Sequence, residues 1–103
     1  MSEAAQLAKS AREHLAAALN ALQSNVNVPD GLMAVAEPIA EAMSVLHRVE
    51  RTDGGDLQGR DSALANVRTA LNQLQAVTEH HPAVDLVMEA VASSLAKVHA
   101  LTR

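Results

Sequence analysis

A gapless internal repeat constrains the fold of this chain more than any other feature. At an offset of 52 residues, the segment ALNALQ at 18–23 matches ALNQLQ at 70–75. Upstream, Gln6, Ser10 and Ala11 match Gln58, Ser62 and Ala63. Downstream, Val35, Glu37, Ala40, His47 and Arg51 match Val87, Glu89, Ala92, His99 and Arg103. In all, 13 of 51 aligned pairs are identical. Most mismatches at core positions are conservative, as in Leu15/Val67, Leu32/Val84, Ile39/Val91, Met43/Leu95, Leu46/Val98 and Val49/Leu101. Each half also carries 4 basic and 6 acidic residues. Shared composition alone does not hold one register across a turn and through both flanking segments. The pattern therefore predicts a duplicated helical hairpin, residues 1–51 and 53–103.

The halves read as helical. Ala, Leu, Glu, Gln and Arg dominate, and all are strong helix formers. Breakers gather in three places: residues 25–31 (NVNVPDG), 52–56 (TDGGD) and 80–82 (HHP). They leave four helices, roughly 2–24, 29–51, 57–80 and 82–102. Ser2 suits the cap of the first helix, and Asn27 or Asp30 the cap of the second, with Pro29 in its first turn. Asp56 or Asp61 suits the third, with Gly59 leaving the choice open. Pro82 suits the first position of the fourth. Pro38 falls inside the second helix and should kink it, because it lacks a donor and clashes with the carbonyl of Ala34.

Apolar residues recur at helical spacing. They are Leu7, Ala11, Leu15, Ala18, Leu19 and Leu22 in the first helix, and Leu32, Val35, Ala36, Ile39, Met43, Leu46 and Val49 in the second. The third has Leu64, Val67, Leu71 and Leu74, with Leu57 as a further candidate. The fourth has Val84, Val87, Met88, Val91, Leu95, Val98 and Leu101. A hairpin of two such helices leaves its stripe uncovered, so the hairpins must pair. The expected fold is all-α: one antiparallel four-helix bundle domain, residues 1–103. The hairpins pair within one chain, or swap between two chains.

Composition excludes several functions. The chain has no cysteine, hence no disulfide framework, thiolate metal site or thiol nucleophile. It has no Phe, Trp or Tyr, hence no platform for stacking bases and no aromatic cage for cations. Net charge is −4, and the basic residues are scattered, so nucleic acid is not an expected partner. The start, MSEAAQ, lacks the basic and apolar run of a signal peptide, and no apolar stretch approaches a membrane span. A cytoplasmic protein without membrane contact is expected.

The polar candidates are few. His47 and His99 are repeat-related, lie at the edges of their apolar arcs and sit near helix C-termini. A metal site or pH switch there would need His14 or a carboxylate to complete it. The alternative role is a boundary residue facing the C-terminal dipole. Glu37 and Glu89 project away from the apolar stripes, and no Glu-x-x-His spacing accompanies them, so no di-iron site is expected. His80-His81 read as turn residues. Residues 53–61 (DGGDLQGRD) lack both the phosphate-loop ending and calcium-ligand spacing, and read as a connector. No haem motif occurs, and no cofactor is expected.

The remaining signals concern surfaces. Arg60 and Asp61 open the third helix, while His47, Arg51, His99 and Arg103 close the second and fourth. All should share one pole, with Arg60 on the apolar side of its helix. Leu86 points away from its helix's apolar centre, and Met33 and Val45 widen the arc of theirs. These features predict a non-enzymatic protein-interaction module, an adaptor, assembly factor or small regulatory subunit. It should act through aliphatic helix faces and self-associate as a homodimer. Its interaction residues would be Met33, Val45, Leu86, Arg51, Arg60 and Arg103. The alternative is a metal-binding or pH-sensing bundle using His47 and His99.

Overall fold

The computed structural model of the protein describes residues 2–25, 28, 30–55, 58–78 and 81–102. Five helical segments follow in order: α1 (Glu3–Ser24), α2 (Asp30–Met33), α3 (Ala36–Arg51), α4 (Arg60–Ala76) and α5 (Pro82–Thr102). α1 packs against α3 and α5, and α4 packs against the same two helices. The four long helices thus close a ring, with α1 diagonal to α4 and α3 diagonal to α5. The molecule extends 41 × 21 × 17 Å, as side-by-side helices of about 33 Å and less require. The all-α four-helix bundle is the observed fold.

Local chemistry sets each boundary. Ser2 is extended, and its Oγ accepts the Ala5 N–H at 3.1 Å, capping α1 as its sequence predicts. α1 stops at Asn25, whose side-chain amide donates to the Ala21 carbonyl at 2.7 Å. α3 ends in a Schellman motif. Asp53 N–H donates to the Glu50 carbonyl at 3.0 Å, and Gly54 N–H donates to that of Val49 at 2.9 Å. Asp53 holds the left-handed position there, at φ 51°. Gly54 follows at φ 82°, and a Cβ on it would lie 2.5 Å from Ser2 Oγ. Only glycine lets this turn close on the start of α1.

Two predicted boundaries need correction. The second helix does not run from 29 to 51 with a kink at Pro38. It breaks at Ala34–Val35 into α2 and α3. The reason is position: Pro38 lies in the first turn of α3, where its missing N–H is not needed. Val35 N–H donates to Leu32 at 3.1 Å, closing the break with a tighter turn. Leu32 and Val35 stay fully buried on either side. The third helix spans Arg60–Ala76 rather than 57–80. Gly59, at φ 88°, occupies its cap without a side-chain bond, so Asp61 does not cap but sits in the first turn. Among the other boundary residues proposed from sequence, Val26, Asn27, Pro29, Asp56, Leu57 and His80 lie outside the described residues.

At the start of α5 the structure adds a cap. His81 Nδ1 accepts the Ala83 N–H at 3.0 Å, and the His81 carbonyl accepts that of Val84 at 3.0 Å. One imidazole thus satisfies a donor that Pro82, fixed in the first turn, leaves beside it.

The core is aliphatic. α1 buries Ala5, Ala8, Ala11, Leu15, Ala18 and Leu22. α5 buries Ala83, Val87, Val91, Ser94, Val98 and Leu101. Mostly alanine on one helix against valine and smaller residues on most of the other lets the pair approach closely. Leu15/Val67, Ala18/Ala70, Leu22/Leu74, Val35/Val87, Ile39/Val91, Leu46/Val98 and Val49/Leu101 are buried at both members of each pair. Met43 and Leu95, Leu7 and Leu19, and Val84, Met88 and Leu71 are half-buried against that core.

Candidate functional surface

The bundle order decides which candidates can act together. α3 ends, α4 begins and α5 ends at the pole where α1 begins, because the Ser2 N–H donates to the Asp53 carboxylate at 2.8 Å. Arg51, Arg60, Asp61, His47 and His99 therefore sit toward one end of the molecule. Arg51 and Asp61 are exposed and Arg60 is half-buried. Arg103 lies outside the described residues.

His47 and His99 are at this end but not together. Both rings are exposed, on α3 and α5, which occupy opposite corners. With neighbouring axes 8–10 Å apart, the diagonal is roughly 12–14 Å before the outward side chains are added. Zinc–nitrogen bonds are about 2 Å. The two rings therefore do not share an ion within one chain. His14 is half-buried on α1. Among the described residues no three His, Asp or Glu side chains are grouped to hold a metal. Glu37 and Glu89 are exposed, as their spacing predicts.

The apolar candidates separate clearly. Met33 is 44% exposed and Leu86 53% exposed, and they are the exposed large hydrophobics among the described residues. Val45 differs: it is half-buried against the core, and its methyls would lie 3.5 Å from a Cβ on Gly59. It covers the connection into α4 rather than projecting as a surface anchor.

The outward faces of the long helices are unequal. α1 exposes Glu3, Gln6, Lys9, Glu13, Ala17, Asn20, Gln23 and Ser24. α3 exposes Glu37, Ala40, Glu41, Ser44, His47 and Arg51. α5 has only Asp85, Glu89 and Lys97 as charged residues along 21 positions, and exposes Leu86, Ala92 and Ala96. Two open grooves flank α4. One, of about 570 Å³, runs between α3 and α4 past Met33, Pro38, Glu37, Glu41 and Gln73. Gln73 Oε1 is buried there without a hydrogen-bond partner among the described residues. The other, of about 320 Å³, lies between α4 and α5 and is lined by Arg68, Ala92, Leu95, Ala96 and His99. Sequence reasoning missed Arg68, Ala92 and Ala96, because alanine reads as filler until the fold shows it facing out.

One ion pair also escaped the sequence. Arg12 of α1 grips Glu50 of α3 through two guanidinium N–H groups, Nε donating to Oε2 and Nη2 to Oε1 at 3.2 Å. The bonds to Glu50 raise the Arg12 pKa above its ordinary value, against a smaller opposing effect of burial. Its role is to tie two neighbouring helices, and no chemistry follows from it.

No helix among the described residues is long and apolar enough to cross a membrane. No protein-family model matches the chain, and neither a curated protein nor a solved structure matches it.

Proposed function

We propose that this chain is a non-enzymatic protein-interaction module that works by helix-face packing and associates with its own copy. The observation that carries this reading is the outer face of α5. It presents Leu86, Ala92 and Ala96 to solvent, and Leu86 and Met33 are the exposed large hydrophobics among the described residues. Exposed aliphatic patches on a closed bundle are docking surfaces in the helix-face mode. A protein partner suits this face better than nucleic acid, since the basic residues are scattered. Most described core residues 52 apart are buried at both members of the pair, which supports descent of both hairpins from one ancestor. A cytoplasmic setting suits a chain without cysteine. The opposite corners of His47 and His99 speak against the metal-binding alternative.

Sedimentation equilibrium of the full chain tests the reading. A mass above the monomer at micromolar concentration is expected. A strict monomer at high micromolar concentration overturns self-association.

A further inference from the structure

The charges bordering α5 specify which way a second copy would lie. Ala92 is exposed near the middle of the helix. Asp85 lies seven residues before it and His99 seven after it, two turns each way. Both are exposed, and Glu89 lies on the same outward face as Asp85. Arg68 of α4 flanks His99 across the groove that Ala92, Leu95 and Ala96 floor. The carboxylates thus occupy the N-terminal half of the face, and the imidazole and guanidinium donors the C-terminal half. None of these four side chains forms an ion pair with another described residue.

We infer that α5 is the seam of a twofold dimer, with a second copy of this chain lying antiparallel over the α4–α5 groove and the axis near Ala92. This deepens the proposed function and rests on its self-association. A twofold axis at Ala92 brings Asp85 of one copy beside His99 of the second copy, twice. It also brings Glu89 toward the second copy's Arg68. A parallel arrangement sets like charges together and loses every pair. Alanine at 92 and 96 lets the two backbones approach, as small residues must where helices cross closely. The face is self-complementary, which is what an isologous contact requires.

The test is sedimentation velocity on the wild-type chain, an Ala92→Glu/Ala96→Glu variant, a His99→Glu variant and a His99→Glu/Asp85→Lys variant. Circular dichroism checks that each remains helical. All substituted positions are exposed, and Glu and Lys are good helix formers. Glutamates at the seam weaken the dimer by about a hundredfold or more. His99→Glu weakens it by about tenfold, and adding Asp85→Lys restores it to within a few fold. A wild-type monomer throughout overturns the self-association reading and this seam with it. A dimer unchanged by Ala92→Glu/Ala96→Glu overturns the seam alone, as does failure of Asp85→Lys to restore the His99→Glu variant.

Discussion

Arg12 and Glu50, 38 residues apart, form a forked ion pair that fastens the first half of α1 to the last turn of α3. The partners are not equivalent. The Glu50 side chain is 13% exposed and that of Arg12 is 32% exposed. Glu50 also lies near the negative end of the α3 dipole, where a carboxylate is disfavoured without a cation. Arg12→Ala should therefore cost about 1–3 kcal/mol, by stranding a largely buried carboxylate. Glu50→Ala should cost less, about 0.5–1 kcal/mol, because Arg12 can still reach water. Urea unfolding of both variants and the double variant measures the order and the coupling. Equal or reversed costs would contradict the account.

The turn after α3 makes a second prediction through its glycines. Gly54→Ala places a methyl 2.5 Å from Ser2 Oγ and 3.2 Å from Ala4 Cβ, at φ 82°. Left-handed strain and the displaced α1 cap together should cost about 2–3 kcal/mol. Gly31 is the contrast. It is helical, and an added methyl meets only Val77 Cγ2 at 3.8 Å, an ordinary contact. Gly31→Ala should stabilise by about 0.5–1 kcal/mol. Thermal unfolding checks both signs, and a stabilising Gly54→Ala would refute the packing described for the turn.

The bundle was legible from the sequence because apolar spacing and breaker clusters report directly on burial. Leu32, Ile39, Leu46 and Val49 show at helical intervals what they do in the core. Pro38 was legible as a disturbance but not as a break, because a kinked helix and a restarted one need the same residue. The difference lies in the turn that Val35 makes with Leu32. The Arg12–Glu50 pair left a faint trace: Arg12 aligns with Leu64 in the repeat, a mismatch that is not conservative. The His81 cap left none, since its bond to Ala83 depends on ring orientation. The candidate surface was half legible. Leu86 and Met33 stand out by their position on the wheel, whereas Ala92 and Ala96 have no signature until neighbours define outside.

The proposed duplication predicts that equivalent positions exchange at small cost. Ser94 is fully buried, and its hydroxyl donates only to the Val91 carbonyl at 2.7 Å. Its counterpart in the first hairpin, Ala42, is buried without a hydroxyl. Ser94→Ala should thus change stability by less than about 1 kcal/mol, since donor and packing volume are lost together. Arg12→Leu with Glu50→Thr copies the Leu64 and Thr102 pair of the second hairpin. It should stay within about 1 kcal/mol of wild type, where Arg12→Ala alone does not. Denaturant midpoints at constant slope decide this, and a double variant as unstable as Arg12→Ala would argue against equivalent environments.

Val45 rests on the core, whereas Leu86 belongs to the proposed interaction face. The Val45 methyls close over Gly59 and rest on the core. Val45→Ala removes that cover and should cost about 1 kcal/mol of stability, the lower range for a half-buried truncation. The dissociation constant of the proposed dimer should not move, because Val45 belongs to α3, the corner diagonal to α5. Leu86 is 53% exposed. Leu86→Gln should leave unfolding within about 0.5 kcal/mol of wild type, as exposed substitutions do. Thermal unfolding and sedimentation, run on the same two preparations, read both quantities. Weaker association in Val45→Ala with unchanged stability would make Val45 a surface contact, since a side chain that supports only its own bundle cannot alter pairing without first loosening the fold.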